Sequence, residues 1–179
     1  MGPRSSRAQT LARGGGFTLI ELLVVISIVA VVFGVALDRL LRYQELGERT
    51  AMEQNLAAIN VALTLKFAAL VSAGRSDAIE AEVGANPVDL LARPPENYLG
   101  ELYSPPVAEL PRRSWHYDRA SGELVYVPSR TRYLTLDGQV PERLRFRVAL
   151  SPPSPRKEVL RELRQPFIAP PAPYRWAIE

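Results

Sequence analysis

The chain has 179 residues, room for one small domain and an appended segment. It contains no Cys, which excludes thiol nucleophiles, disulfides and cysteine-ligated zinc, and its single His116 excludes a multi-histidine metal site within one chain. The net charge of +3 resides in residues 1–16, where Arg4, Arg7 and Arg13 stand without an acid, while the other 19 of the 22 basic residues face 19 acidic ones.

The first element begins where Gly14-Gly15-Gly16 meets Phe17. From Phe17 to Leu37 the chain is apolar except for Thr18, Glu21, Ser27 and Gly34. As a helix these residues span about 31 Å, the thickness of a bilayer's hydrocarbon core. Basic residues precede the run, which predicts a cytoplasmic N-terminus and an external remainder. A secretory signal peptide has a shorter apolar core closed by a small-x-small cleavage site; here the small residues precede the run. A plain membrane anchor explains length and orientation but not the carboxylate of Glu21, which costs a few kcal/mol at that depth unless it is paired.

The stretch Gly16-Phe17-Thr18-Leu19-Ile20-Glu21, followed by an apolar helix, resembles the N-terminal motif of type IV prepilins and type II secretion pseudopilins. The resemblance covers roughly residues 13–45. It implies a leader of residues 1–16, cut after Gly16 by the prepilin peptidase, a membrane aspartic protease that then methylates the new amine of Phe17. A side-chain-free residue before the cut suits extended backbone in a protease cleft. The resemblance also implies that Glu21 faces the N-terminal ammonium of a neighbouring subunit and sets the register of one helix against the next. The competing expectation is a glutamate that snorkels to the headgroups.

The helical pattern continues beyond Leu37, with no Pro between Pro3 and Pro87. Met52, Leu56, Ile59, Leu63, Phe67 and Leu70 recur at steps of three and four, one apolar stripe on a helix. Gly74 marks its C-terminal cap. The spacing predicts one helix from Phe17 to Ser72, with Gly34 and Gly47 as possible soft points. Residues 17–37 form its transmembrane and assembly part and residues 38–73 its amphipathic periplasmic part.

Residues 74–112, punctuated by Asn86-Pro87, Pro94-Pro95, Pro105-Pro106 and Pro111, read as an irregular connection with short helical pieces such as Val88–Ala92. Residues 113–150 read as a sheet of about four antiparallel strands: Ser114–Asp118, Glu123–Val127, Arg132–Leu136 and Arg143–Leu150, with turns at Ala120-Ser121-Gly122 and Asp137-Gly138. Trp115 and Tyr117 share one face, Leu124 and Tyr126 another. In the last strand Leu144, Phe146, Val148 and Leu150 alternate with Arg143, Arg145 and Arg147, so the apolar row is expected to cover the helix stripe. The Trp115–Tyr126 hairpin also resembles the heads of minor pilins and of mannose-sensitive-haemagglutinin-type pilins. Residues 151–179 form a Pro-rich tail. A short helix is expected at Arg156–Arg164, and no regular structure from Gln165 to Glu179, which is either an extended strap docked through Phe167, Tyr174 and Trp176 or a disordered tail.

Chemistry is sparse. The Arg143, Arg145 and Arg147 face offers an anion or DNA contact, against the simpler expectation of a solvated, edge-protecting face neutralised by acids such as Glu123. His116 and Asp118 share a strand face about 7 Å apart, but no nucleophile or oxyanion site accompanies them. The expectation is therefore an α+β, pilin-like subunit without enzymatic activity, cofactor or metal. It is a minor pilin or pseudopilin of a type IV pilus or type II secretion pseudopilus, set in the inner membrane with a periplasmic head. Its expected partners are other pilin subunits, the prepilin peptidase and the inner-membrane assembly platform, with nucleic acid an unlikely one. The alternatives are a membrane-anchored periplasmic binding module that never polymerises and a DNA-binding minor pilin of a competence pilus.

Overall fold

The computed structural model describes residues 17–152 and 164–178. Two compact units divide at Leu41 and Arg42. One helix, α1 (Leu19–Ser72), runs through both without interruption at Gly34 or Gly47. It ends as the glycine predicts: Gly74 is left-handed (φ 68°), its N–H donates to the Val71 carbonyl at 3.0 Å, and the Arg75 N–H donates to Leu70 at 2.9 Å. These two bonds form a Schellman cap, which satisfies carbonyls the helix end would otherwise orphan.

The second unit packs strands on the stripe of α1. The main sheet has the order β1-β2-β3-β5-β6, from β1 (Tyr98–Leu102), β2 (Ser114–Asp118), β3 (Glu123–Val127), β5 (Leu144–Leu150) and β6 (Pro166–Ala169). A second sheet pairs β4 (Leu134–Leu136) with β7 (Tyr174–Trp176). The sheet face on α1 carries Trp115, Leu124, Tyr126, Leu144, Phe146, Val148 and Ile168 against Met52, Ile59 and Leu63. Three rings pack at its centre, Trp115 lying 4.7 Å from Tyr126 and 5.9 Å from Phe146 by ring centroids.

The head departs from expectation in several ways. Among the described residues it has seven strands rather than four, and β1 runs parallel to β2, so the sheet is mixed. The 74–112 connection holds short helical pieces, as expected, in three 3-10 turns, Ser76–Glu82, Pro87–Leu90 and Val107–Glu109, but also the unexpected β1. The third predicted strand, β4, leaves the main sheet to pair with β7. The tail supplies β6 and β7, because its prolines sit where a ladder tolerates them: Pro166 opens β6, and Pro170, Pro171 and Pro173 lie between the strands. Trp176 and Ile168 are buried; Phe167 is not. Of the helix expected at 156–164, residues 156–163 lie outside the described residues. In the hairpin, Trp115 pairs with Tyr126 and Tyr117 with Leu124, so all four side chains share one face instead of two.

The opposite sheet face is covered too, since β2 and β3 are buried along their whole lengths. Because β1 and β2 are parallel, residues 103–113 must return along the sheet. The Ser104 N–H donates to Asp118 Oδ1 at 2.9 Å, and the Ser114 hydroxyl donates to the Pro111 carbonyl at 2.6 Å. Ser114, His116 and Asp118 share a face by alternation, so the crossover is pinned at both ends to the His116 side. Beneath it His116 is 0% exposed and neither ring nitrogen has a hydrogen-bond partner among the described residues.

What ties the strands to α1 is polar. The buried stripe extends beyond Met52 to Glu48 and Glu45, each only 2% exposed. Glu48 accepts hydrogen bonds from the Tyr126 hydroxyl (3.0 Å), the Ser129 N–H (2.6 Å) and the Ser129 hydroxyl. Glu45 accepts from the Tyr133 N–H (3.0 Å) and the Trp176 indole N–H (2.9 Å). Lower on the helix, Asn60 accepts the Ile168 N–H of β6 at 2.9 Å. Burial, followed by the charge of Glu48, raises the Tyr126 phenol well above its ordinary value.

Replacing Glu48 by Ala strips the acceptor from the buried Tyr126 hydroxyl and from two donors of Ser129, and should lower unfolding free energy by about 3 kcal/mol, read by urea denaturation of the full chain in detergent. Glu53→Ala, which breaks only an exposed i,i+4 pair with Arg49, should cost roughly 0.5 kcal/mol or less. Equal losses in the two variants would contradict a clamp at Glu48.

His116 predicts a pH dependence. Burial, opposed by Asp118 and reinforced by Arg143 and Arg145, lowers its imidazole pKa below 6.5. The unfolded chain then takes up the proton more readily than the folded one. Stability should be complete above pH 6.5 and fall as pH drops through the depressed value. His116→Leu should flatten the urea midpoint between pH 7.5 and 5.5 without loss of stability at the higher pH; an unchanged slope would exclude His116 as its source.

Candidate assembly and processing site

Every residue from 17 to 37 is exposed, and Phe17 is 77% so. α1 is long and apolar enough to cross a membrane, and its most apolar stretch has no part buried within the chain. A helix in the core of a soluble protein would be covered along such a stretch. Three polar side chains other than glycine interrupt residues 17–37, and the helix itself satisfies two of them. The Thr18 hydroxyl accepts the Glu21 N–H at 3.2 Å, while the Leu22 N–H donates to the Thr18 carbonyl at 3.1 Å, which makes Thr18 the N-cap. The Ser27 hydroxyl donates to the Leu23 carbonyl at 2.8 Å.

The third is Glu21, whose carboxylate has no partner among the described residues. Its position is set by the cap. Thr18 at the N-cap puts Glu21 at the third helical position, the spacing of a capping box, and places Phe17 and Leu22 at the two positions of a hydrophobic staple. The carboxylate therefore stands in the first turn, at the positive end of the helix dipole, ringed by exposed apolar side chains. Phe17 and Thr18 precede the helix.

The arrangement is two non-helical residues, a capped helix start, one acid unpartnered among the described residues and an uncovered apolar surface. Residues 12–37 match the family model described as the prokaryotic N-terminal methylation motif. This stretch is the type IV prepilin and pseudopilin signal. No curated protein and no solved structure matches the chain significantly. The signal, together with the layout of one long apolar N-terminal helix and a small mixed sheet, supports a pilin- or pseudopilin-type subunit. Gly16 lies outside the described residues.

The arginine face predicted on β5 is largely engaged. Glu123, itself buried, accepts from Arg145 at 2.9 Å and from Arg147 at 3.1 Å. Arg143, half-buried, makes no ion pair among the described residues. Asp118 is a turn anchor. Burial pushes its carboxyl up, but the Ser104 and Ala120 N–H groups, the Ser121 hydroxyl and the charge of Arg145 bring it below the usual value. No group of three or more potential metal ligands exists among the described residues. Sequence reasoning missed Glu45 and Glu48 because it followed apolar side chains alone. Their steps of three and four to Met52 continue the stripe and were the available signal.

Proposed function

We propose that the chain is a structural subunit, a minor pilin or pseudopilin, of a bacterial type IV pilus or type II secretion pseudopilus, without enzymatic activity of its own. Prepilin peptidase cuts the Gly16–Phe17 bond on the cytoplasmic side and methylates Phe17. The helix holds the protein in the inner membrane with its head in the periplasm until the assembly platform transfers it to the filament. The observation that carries this reading is Glu21, an acid with no partner among the described residues, inside the prepilin signal. A carboxylate leaving lipid for a helix bundle needs a cation, and the nearest one generated by processing is the ammonium of Phe17 on an adjacent subunit. Pairing them fixes axial register, because a helix slipped by one turn loses the bond.

Co-expression with a prepilin peptidase should convert the 19.9 kDa precursor into a product shorter by the 16-residue leader and beginning with N-methyl-Phe17, as read by mass spectrometry. An intact leader would support a membrane-anchored module that does not polymerise. Glu21→Ala should insert and be processed normally but enter filaments at least tenfold less efficiently, the scale expected when a buried pair loses one member. Unchanged incorporation would overturn the pairing.

A further inference from the structure

A groove of about 500 Å³ opens on the second unit between α1 and the start of the sheet. Gln54 and Asn55 line it from the helix, and Asn97, Arg112 and Arg113 from the opposite wall. Neither arginine forms an ion pair among the described residues, unlike Arg145 and Arg147. Arg113 adopts a left-handed backbone (φ 60°), uncommon for a long side chain, and the surroundings hold it there. Its N–H donates to the Val127 carbonyl at 2.7 Å and its carbonyl accepts from the Asn97 side chain. Val127 follows Tyr126, whose hydroxyl donates to Glu48, so the backbone of Arg113 is fastened to the best-anchored part of the head. Its guanidinium lines the groove beside that of Arg112.

We infer that this groove binds an extended acidic peptide segment, with a Glu or Asp carboxylate between Arg112 and Arg113. Guanidinium groups recognise carboxylates through forked, charge-assisted hydrogen bonds. The amides of Gln54, Asn55 and Asn97 both donate and accept, as the N–H and C=O groups of a peptide backbone require. A nucleic acid fits less well. None of the groove's lining residues is aromatic, so there is no platform for bases.

The test titrates the full chain in detergent with acetylated, amidated Ala-Glu-Ala and with its Ala-Gln-Ala counterpart, followed by NMR. The Glu peptide should bind about tenfold more tightly than the Gln peptide, the value of one charge-assisted contact. Arg112→Gln and Arg113→Gly should each erase that difference. The glycine accepts the left-handed backbone, so its loss of binding would not be a loss of fold. Equal affinity for the two peptides, no saturation with either, or a preference retained in both variants would overturn the proposal. So would displacement of the Glu peptide by a short single-stranded oligonucleotide that binds more tightly.

Discussion

Three glutamates on α1 stand where helical periodicity and neighbouring residues call for apolar side chains, and each must be hydrogen-bonded or paired to be stable there. Glu45 and Glu48 find their partners within the chain, in the backbone and side chains of Tyr126, Ser129, Tyr133 and Trp176. Glu21 finds none among the described residues. The same requirement therefore has two consequences. In one half of the helix it clamps strands onto the stripe. In the other, in the proposed function, it is met by a cation of a neighbouring subunit. Apolar burial alone would allow the sheet to slide along α1; directional bonds to carboxylates at fixed helical steps do not.

The clamp also explains the tail. Proline-rich sequence lacks the donors and regular alternation that make a strand independently stable. Here the partners come from elsewhere: β5 pairs β6, Asn60 accepts the Ile168 N–H, β4 pairs β7, and Glu45 with Arg49 holds both polar ends of Trp176. The tail is ordered by what it docks on, so its strands could not be read from its own residues. β1 escaped for a similar reason. Tyr98–Leu102 is short, contains Gly100 and pairs in parallel across a crossover, none of which leaves a local mark. The helix, its glycine cap and the hairpin from Ser114 to Val127 were legible because local periodicity and turn chemistry dictate them. At the N-terminus the spacing of Gly16, Phe17 and Glu21 was legible as a motif, but the capping role of Thr18 became visible only with the helix start in place.

The cap gives the prepilin signal a physical logic. Thr18 caps the helix so that Phe17 lies outside it, and it places Glu21 in the first turn. In the proposed function, a protease needs extended backbone at the bond it cuts, and a register-setting ion pair needs an acid at a fixed height on the helix. One hydroxyl would serve both needs, which would account for a polar residue between Phe17 and an otherwise apolar run.

The proposed pairing of Glu21 with a neighbour's N-terminus is the claim on which the functional reading turns. Filaments built from two populations of the protein, one carrying ¹³C-labelled Glu21 and the other ¹⁵N-labelled Phe17, isolate contacts between subunits in solid-state NMR. The account predicts a cross-peak between the Glu21 carboxylate carbon and the Phe17 amine nitrogen in the mixed filament. Its absence there, with the same signal present when both labels share one chain, would contradict the account.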